Sequence, residues 1–225
     1  MFYCPNYIYN PNSLYRGTPT YRVSPMTSYL RLLHSSPKSP AVDVYINDIL
    51  KFRNLTYGAF TNYIEVITGN YNVKIYAAGT KTSPVLNKNI LIPPGKIYTV
   101  SAIGLLPNID ILLIPEPKVM EPTDSVYIKF AHLSPNAGAV DIALPNGTIL
   151  FKNISYKEFT NYIQVPAGTY TLIARPTGTT TTALYVPNVR LRSQRFYTVY
   201  AIGLINDRPG IQALIPLDGS SYLDL

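Results

Sequence analysis

Tryptophan is absent from this 225-residue chain, cysteine occurs once, at Cys4, and histidine only twice, at His34 and His132. One cysteine excludes an intrachain disulfide framework and a cysteine-cluster metal site, and leaves only crosslinking between chains. With a single histidine in each half and no His-x-His or His-x-x-x-His spacing, no zinc or copper ligand set is in place. Calcium is left open by Asp43 and Asp141, but no aspartate-rich loop accompanies them. Glycine-rich phosphate loops are missing as well, so no cofactor is expected. No apolar run is long and unbroken enough to cross a bilayer, and the N-terminus lacks a basic start followed by an apolar stretch. The chain is therefore expected to have no transmembrane segment and to reach its place without a secretory signal peptide.

Acidic residues are few, 12 against 19 Lys and Arg, for a net charge of +7. The basic residues are scattered along the chain, and only Arg190-Leu191-Arg192-Ser193-Gln194-Arg195 is locally dense. Two apart in a strand, Arg190 and Arg192 share one face, which reads as a solvated surface rather than a phosphate track, and nucleic acid is not expected as a partner.

What the chain does have is a repeat. Tyr29 to Pro37 followed by Ala41-Val42-Asp43-Val44-Tyr45-Ile46 returns as Tyr127 to Pro135 followed by Ala139-Val140-Asp141-Ile142-Ala143-Leu144, 98 positions on. Phe60-Thr61-Asn62-Tyr63-Ile64 returns as Phe159-Thr160-Asn161-Tyr162-Ile163, and Tyr98-Thr99-Val100 returns as Tyr197-Thr198-Val199, now 99 positions on. One residue has been inserted between these blocks, where Asn47-Asp48 faces Pro145-Asn146-Gly147, a place where hairpin loops tolerate a change of length. The repeat divides the chain into an arm at 1–27, a first repeat at 28–116, a proline-rich linker at 117–124, a second repeat at 125–217 and a tail at 218–225.

The arm holds Tyr3, Tyr7, Tyr9, Tyr15 and Tyr21 among several prolines and asparagines, with no acidic residue. Repeated prolines exclude a helix, and tyrosine, which buries a ring while keeping a polar tip, suits an interface. Each repeat reads as about seven short strands with an eighth or edge segment. In the first copy these lie near 29–34, 42–46, 49–53, 61–66, 71–77, 85–92, 97–104 and 109–114. Period-two alternation supports this, with Leu30 and Leu32 on one face and Tyr29 and Arg31 on the other. Turn residues at Thr68-Gly69-Asn70, Pro93-Pro94-Gly95, Asn146-Gly147 and Pro166-Ala167-Gly168 are placed as hairpins require. The expected fold class is all-β: two tandem immunoglobulin-like antiparallel β-sandwiches behind an extended arm.

The succession Leu32-Leu33-His34-Ser35-Ser36-Pro37, Val42-Asp43-Val44-Tyr45, Asn54-Leu55-Thr56-Tyr57-Gly58 and Tyr98-Thr99-Val100 resembles the bacterial family catalogued as domain of unknown function 4397, over residues 28–116 and again 125–217. The resemblance implies immunoglobulin-like sandwiches in envelope or extracellular proteins, often in tandem, with no catalytic assignment to carry over.

His34, Ser36 and Asp43, and their counterparts His132, Ser134 and Asp141, have the residue types of a nucleophilic triad. Both serines, however, precede proline, which drives the backbone extended, and neither sits in a Gly-x-Ser-x-Gly elbow. The six are read as structural, fixing a turn in each repeat by satisfying backbone groups, and the chain is read as not an enzyme. Cys4, Tyr3, Tyr7, Tyr9 and Tyr15 are candidates for assembly or crosslinking. Tyr45, Tyr57, Tyr63, Tyr156 and Tyr162 are candidates for ligand contact, against the alternative that repeated tyrosines pack the sheets. Two functions follow. The first is a structural protein of a bacterial spore surface or cell envelope, such as a spore coat or exosporium, partnered by itself or by other surface-layer proteins. The second is an adhesin or carbohydrate-binding module that meets a glycan through tyrosine-lined loops.

Overall fold

The computed structural model describes residues 27–117 and 125–223. The 1–27 arm, with Cys4 and its tyrosines, lies outside them apart from Thr27, as does the linker after Pro117.

The first repeat folds as β1 (Thr27–His34), β2 (Val42–Ile46), β3 (Ile49–Leu55), β4 (Ile64–Ile67), β5 (Gly69–Ala77), β6 (Leu86–Ile92), β7 (Ile97–Leu105) and β8 (Asn108–Glu116). The second follows as β9 (Ser125–His132), β10 (Val140–Ala143), β11 (Ile149–Ile154), β12 (Ile163–Pro166), β13 (Gly168–Pro176), β14 (Leu184–Leu191), β15 (Arg195–Ile202) and β16 (Gln212–Leu214). A single 3-10 turn at Gly219–Ser221 is the one helical element among the described residues.

Each repeat is a sandwich of two four-stranded sheets, β4-β1-β7-β8 on β3-β2-β5-β6 and β12-β9-β15-β16 on β11-β10-β13-β14. Pairing is antiparallel except that β1 runs parallel to β7 and β9 parallel to β15. The alternating positions fill the sandwich cores: Leu30, Leu32, Val44, Ile75 and Val100 in the first, and Ile128, Phe130, Ile142, Leu172 and Val199 in the second. The eighth segment is a full strand, with Ile97–Leu105 in register against Asn108–Glu116.

Of the four expected hairpins, Asn146-Gly147 is one, joining β10 to β11 within a sheet. Thr68-Gly69, Pro93-Pro94-Gly95 and Ala167 instead carry the chain from one sheet to the facing sheet, because β4 and β12 pair with β1 and β9, whereas β5 and β13 pair with β2 and β10. Turn residues mark where the chain changes direction, and which sheet it joins next is decided by the packing of the strands that follow.

The two sandwiches do not lie end to end as separate beads. The outward faces of the sheets containing β1 and β9 pack on each other around Leu33, Ile103, Ile114, Ala131, Leu133, Tyr200 and Ile202. The result is four stacked sheets, in which β1, β7, β9 and β15 are buried on both faces. This is why the stretch Ser28 to Ser36 is buried almost throughout, where a one-sided strand would alternate.

Candidate functional site

The repeated His-Ser-Asp set holds loops in place. In the first sandwich Ser36 Oγ donates to the Gly104 carbonyl at 2.7 Å and His34 Nε2 lies 3.0 Å from the Pro40 carbonyl. The Asp43 carboxylate accepts the Asn54 N–H at 2.7 Å and the Gly79 N–H at 3.0 Å. The second sandwich repeats this with Ser134 Oγ to Gly203 O at 2.7 Å, His132 Nε2 to Gly138 O at 3.0 Å, and Asp141 to the N–H groups of Asn153 and Gly178 at 2.7 and 3.2 Å. Hydrogen bonds from Asn54 and Gly79 hold the Asp43 carboxyl below its ordinary range, and the Asn153 N–H leads the same effect at Asp141. Burial holds both histidines below the usual imidazole value. Among the described residues no hydrogen bond joins His34 to Ser36 Oγ or to Asp43, and the serine hydroxyls are spent on carbonyls.

Tyr63 and Tyr162 do not line an open surface: they point into a buried polar network between the sandwiches. Tyr63 donates its hydroxyl to Glu116 at 2.6 Å and Tyr162 donates to Asp218 at 2.6 Å. Thr99 and Thr198, the next equivalent pair, donate to the same two carboxylates at 2.6 and 2.7 Å. Arg31 reaches across from β1. Its Nε donates to Thr99 at 2.7 Å, Nη1 to the Leu217 carbonyl at 2.7 Å, and Nη2 to Asp218 at 3.0 Å and Glu116 at 3.4 Å. Its guanidinium also lies over the rings of Phe60 and Tyr63, 4.8 and 4.9 Å from their centroids. Lys129, the equivalent of Arg31, reaches back to the Pro115 carbonyl and sits 4.8 Å from the centroid of Tyr162. The Gly219 N–H closes the network on Glu116 at 2.7 Å. Tyr57 and Tyr156 stand edge-on to His34 and His132, with ring centroids 6.1 and 6.4 Å apart, and pack against the same seam.

Two cations and two carboxylates, all at most 5% exposed, thus form a neutral cluster. Burial pushes the Asp218 carboxyl up to about 6, helped by Glu116 and opposed by Arg31 and Lys129. Burial lowers Lys129 and raises Tyr63, Tyr162 and Tyr200. Burial also works against the charge on Arg31, but Tyr200, Glu116, Tyr63 and Asp218 together outweigh it and keep the guanidinium charged. Residues 218–225, read from the sequence as a tail, are in their described part integral to this seam: Asp218 is fully buried, as are Gly219 to Ser221. Arg31 and Lys129 carried one overlooked signal, a basic residue at the same place in both copies of an otherwise apolar strand.

A carboxyl whose pKa is higher folded than unfolded adds stability at low pH that is lost as pH rises toward the folded value. Relative to Asp218→Asn, the wild-type chain should therefore lose about 2 kcal/mol of stability between pH 4 and pH 7, as the buried carboxyl is forced to ionise. Urea titrations of both proteins across that range read the difference, and a constant difference would contradict the placement of this carboxyl.

An open cleft of about 830 Å³ lies at the end of the second sandwich between Asn136–Val140, Thr181–Ala183 and Leu204–Ile211. Its lining contains no tyrosine. Lys38 of the first sandwich pairs at 2.5 Å with Asp207 on its rim. Arg190 and Arg192 are exposed, whereas Arg195 is half-buried and donates to the Ser221 carbonyl at 2.8 Å.

Fold and seam define a tandem all-β protein whose two halves are copies of one sandwich. The family model described as "Domain of unknown function (DUF4397)" matches residues 28–143 and 144–220, and the chain belongs to this family. The boundary between the two matches falls between β10 and β11, inside the second sandwich, whereas strand pairing puts the division between β8 and β9. No curated protein matches the chain. Among solved structures it is similar to an alpha-glucan-binding streptococcal virulence factor, at 13% identity over 87% of this chain and 99% of that one, with a TM-score of 0.28. It is also similar to the family CBM26 module of Eubacterium rectale Amy13K solved with maltoheptaose, at 10% identity over 87% and 99%, with a TM-score of 0.26. A candidate adhesin from Bacteroides ovatus follows at 10% identity over 85% and 94%, with a TM-score of 0.23. Likeness at this level establishes no shared ligand. Among the described residues no helix is long and apolar enough to cross a membrane.

Proposed function

We propose that this chain is a non-enzymatic structural protein of a bacterial surface, with a spore coat or exosporium as its setting. The two sandwiches act as one stiff block, and the 1–27 arm, through Tyr3, Tyr7, Tyr9, Tyr15 and Cys4, joins block to block. The observation that supports this most is the seam, where a satisfied charge network and an apolar cluster fix the two sandwiches against each other. Such a block resists hinge motion and holds its exposed strand edges at a set spacing.

Deleting residues 1–26, which leaves Thr27 to begin β1, is expected to leave the thermal unfolding of the sandwiches unchanged and to abolish higher-order assembly, as read by light scattering and electron microscopy. Unchanged assembly would count against this role for the arm. A second reading, a glycan-binding adhesin or carbohydrate-binding module, is favoured by the open cleft of the second sandwich, whose Thr181 and Thr182 offer hydroxyl groups for sugar recognition.

A further inference from the structure

We propose that the first sandwich carries a site for an anionic sugar in the recess between β2, the end of β3 and the loop after β5. The inference rests on the glycan-binding reading and narrows it to a ligand class and a place. The recess measures about 530 Å³ and is lined by Tyr45, Arg53, Asn54, Thr80 and Lys81 around the buried Asp43. Its walls are held by that aspartate, whose two oxygens accept the N–H groups of Asn54 on one side and Gly79 on the other. The carboxylate is committed to the backbone, and among the described residues Arg53 and Lys81 enter no ion pair.

Tyr45 supplies the platform. Its ring is braced edge-on by Tyr76, 5.3 Å between centroids, and the Lys81 ammonium lies 4.8 Å from its centre. A pyranose presents a C–H face that packs on an aromatic ring, and a carboxylate or phosphate on that sugar is a stronger partner for an ammonium than a ring face is. Lys81 therefore moves from the ring to the anion, uncovering the platform as the sugar arrives. Arg53 supplies the second cation, and Asn54 has a side-chain amide for a hydroxyl.

The second sandwich provides an internal comparison. There the same clamp is kept, Asp141 holding Asn153 and Gly178, but Tyr45, Arg53 and Lys81 are replaced by Ala143, Lys152 and Thr180. The clamp belongs to the fold, since both copies have it. A cation is kept at the Arg53 position as Lys152, whereas the ring and the Lys81 cation belong to one copy, so the fold does not require these two.

The test uses the full chain and three probes: tri-galacturonic acid, mannose 6-phosphate and neutral maltotriose, followed by amide shifts in NMR titrations. The two anionic probes separate a uronic acid from a sugar phosphate. At least one should shift residues around Tyr45 and bind about tenfold more tightly than maltotriose, with affinity falling as salt is raised. Tyr45→Ala and Lys81→Gln should each weaken binding about fivefold or more, while Arg190→Gln with Arg192→Gln should leave it unchanged. Lys81 is exposed, so its variant is expected to keep the wild-type melting temperature and separates loss of binding from loss of fold. Maltotriose shifting Thr181 and Thr182 with no anionic probe at Tyr45 would overturn this site and keep the glycan reading. No binding by any probe would overturn both, and equal loss in the Arg190 and Arg192 variant would overturn the site by reducing it to general charge attraction.

Discussion

Replacing Arg31 with methionine is expected to lower the stability of the protein by about 4 kcal/mol, the range found when one member of a buried charge cluster is removed. The guanidinium is 3% exposed and, among the described residues, is the one group ion-paired to both Glu116 and Asp218. Without it two buried carboxylates face each other with Lys129 to offset them, and Lys129 donates to the Pro115 carbonyl rather than forming an ion pair with either among the described residues. One carboxyl must then take up a proton at neutral pH, so the loss should be larger at pH 8 than at pH 5. Adding Glu116→Gln and Asp218→Asn to the methionine variant should recover part of the stability, because the repelling charges are gone. Urea unfolding of the single and triple variants decides the matter, and a triple variant no more stable than the single one would mean that lost packing, not stranded charge, dominates. Lys129→Met should cost less, since among the described residues no carboxylate forms a direct ion pair with Lys129.

Gly203→Ala is the second large effect, expected to destabilise by about 3 kcal/mol. Gly203 has a φ of +95°, and a Cβ placed there would stand 2.2 Å from the Gly210 carbonyl oxygen and 2.7 Å from its carbon. Those are backbone atoms, so no side chain can swing aside to make room. The 204–210 loop would have to lift, weakening the bond from Leu204 N–H to the Pro209 carbonyl and reshaping the cleft that this loop lines. Thermal melts give the size of the effect. Gly104→Ala, with φ +94° and the Asn108 oxygen at 2.4 Å, should behave alike in the first sandwich. A melting temperature within a degree of wild type in either variant would show that these loops yield more readily than their geometry indicates.

Strand positions were legible because alternation in strands such as Val42–Ile46 and Tyr71–Ala77 follows from one buried face, and the repeat doubled that signal. What escaped was the second buried face. Alternation in β1 put Leu30 and Leu32 inward and assigned Arg31 to the other side, correctly, but exposure was the default for an arginine, and nothing local says that another sheet covers it. Glu116 and Asp218 were invisible for a related reason: they stand at the ends of the repeats, where composition reads as linker and tail, and gain their meaning only from Arg31, distant by 85 and 187 positions. The tyrosines were ambiguous in the same way, since Tyr63 at a seam and Tyr45 beside a recess carry identical local patterns. The sheet-to-sheet crossings at Thr68-Gly69 and Pro93-Pro94-Gly95 share their chemistry with hairpins, so only partner strands distinguish them.

At the seam each half grips the far end of the other: Arg31 holds the Leu217 carbonyl, and Lys129 the Pro115 carbonyl. Equivalent residues meet from opposite sides, which is the arrangement two identical single-repeat chains would adopt as a dimer. Half of the molecule standing alone would present Leu33, Ile103 and Ile114 to water together with an arginine that has lost Asp218 and the Leu217 carbonyl and a glutamate that has lost the Gly219 N–H. The indivisible unit is therefore the pair. In any chain built from this module, an even number of copies would leave no such face bare, and an odd number would require a different covering for the last one.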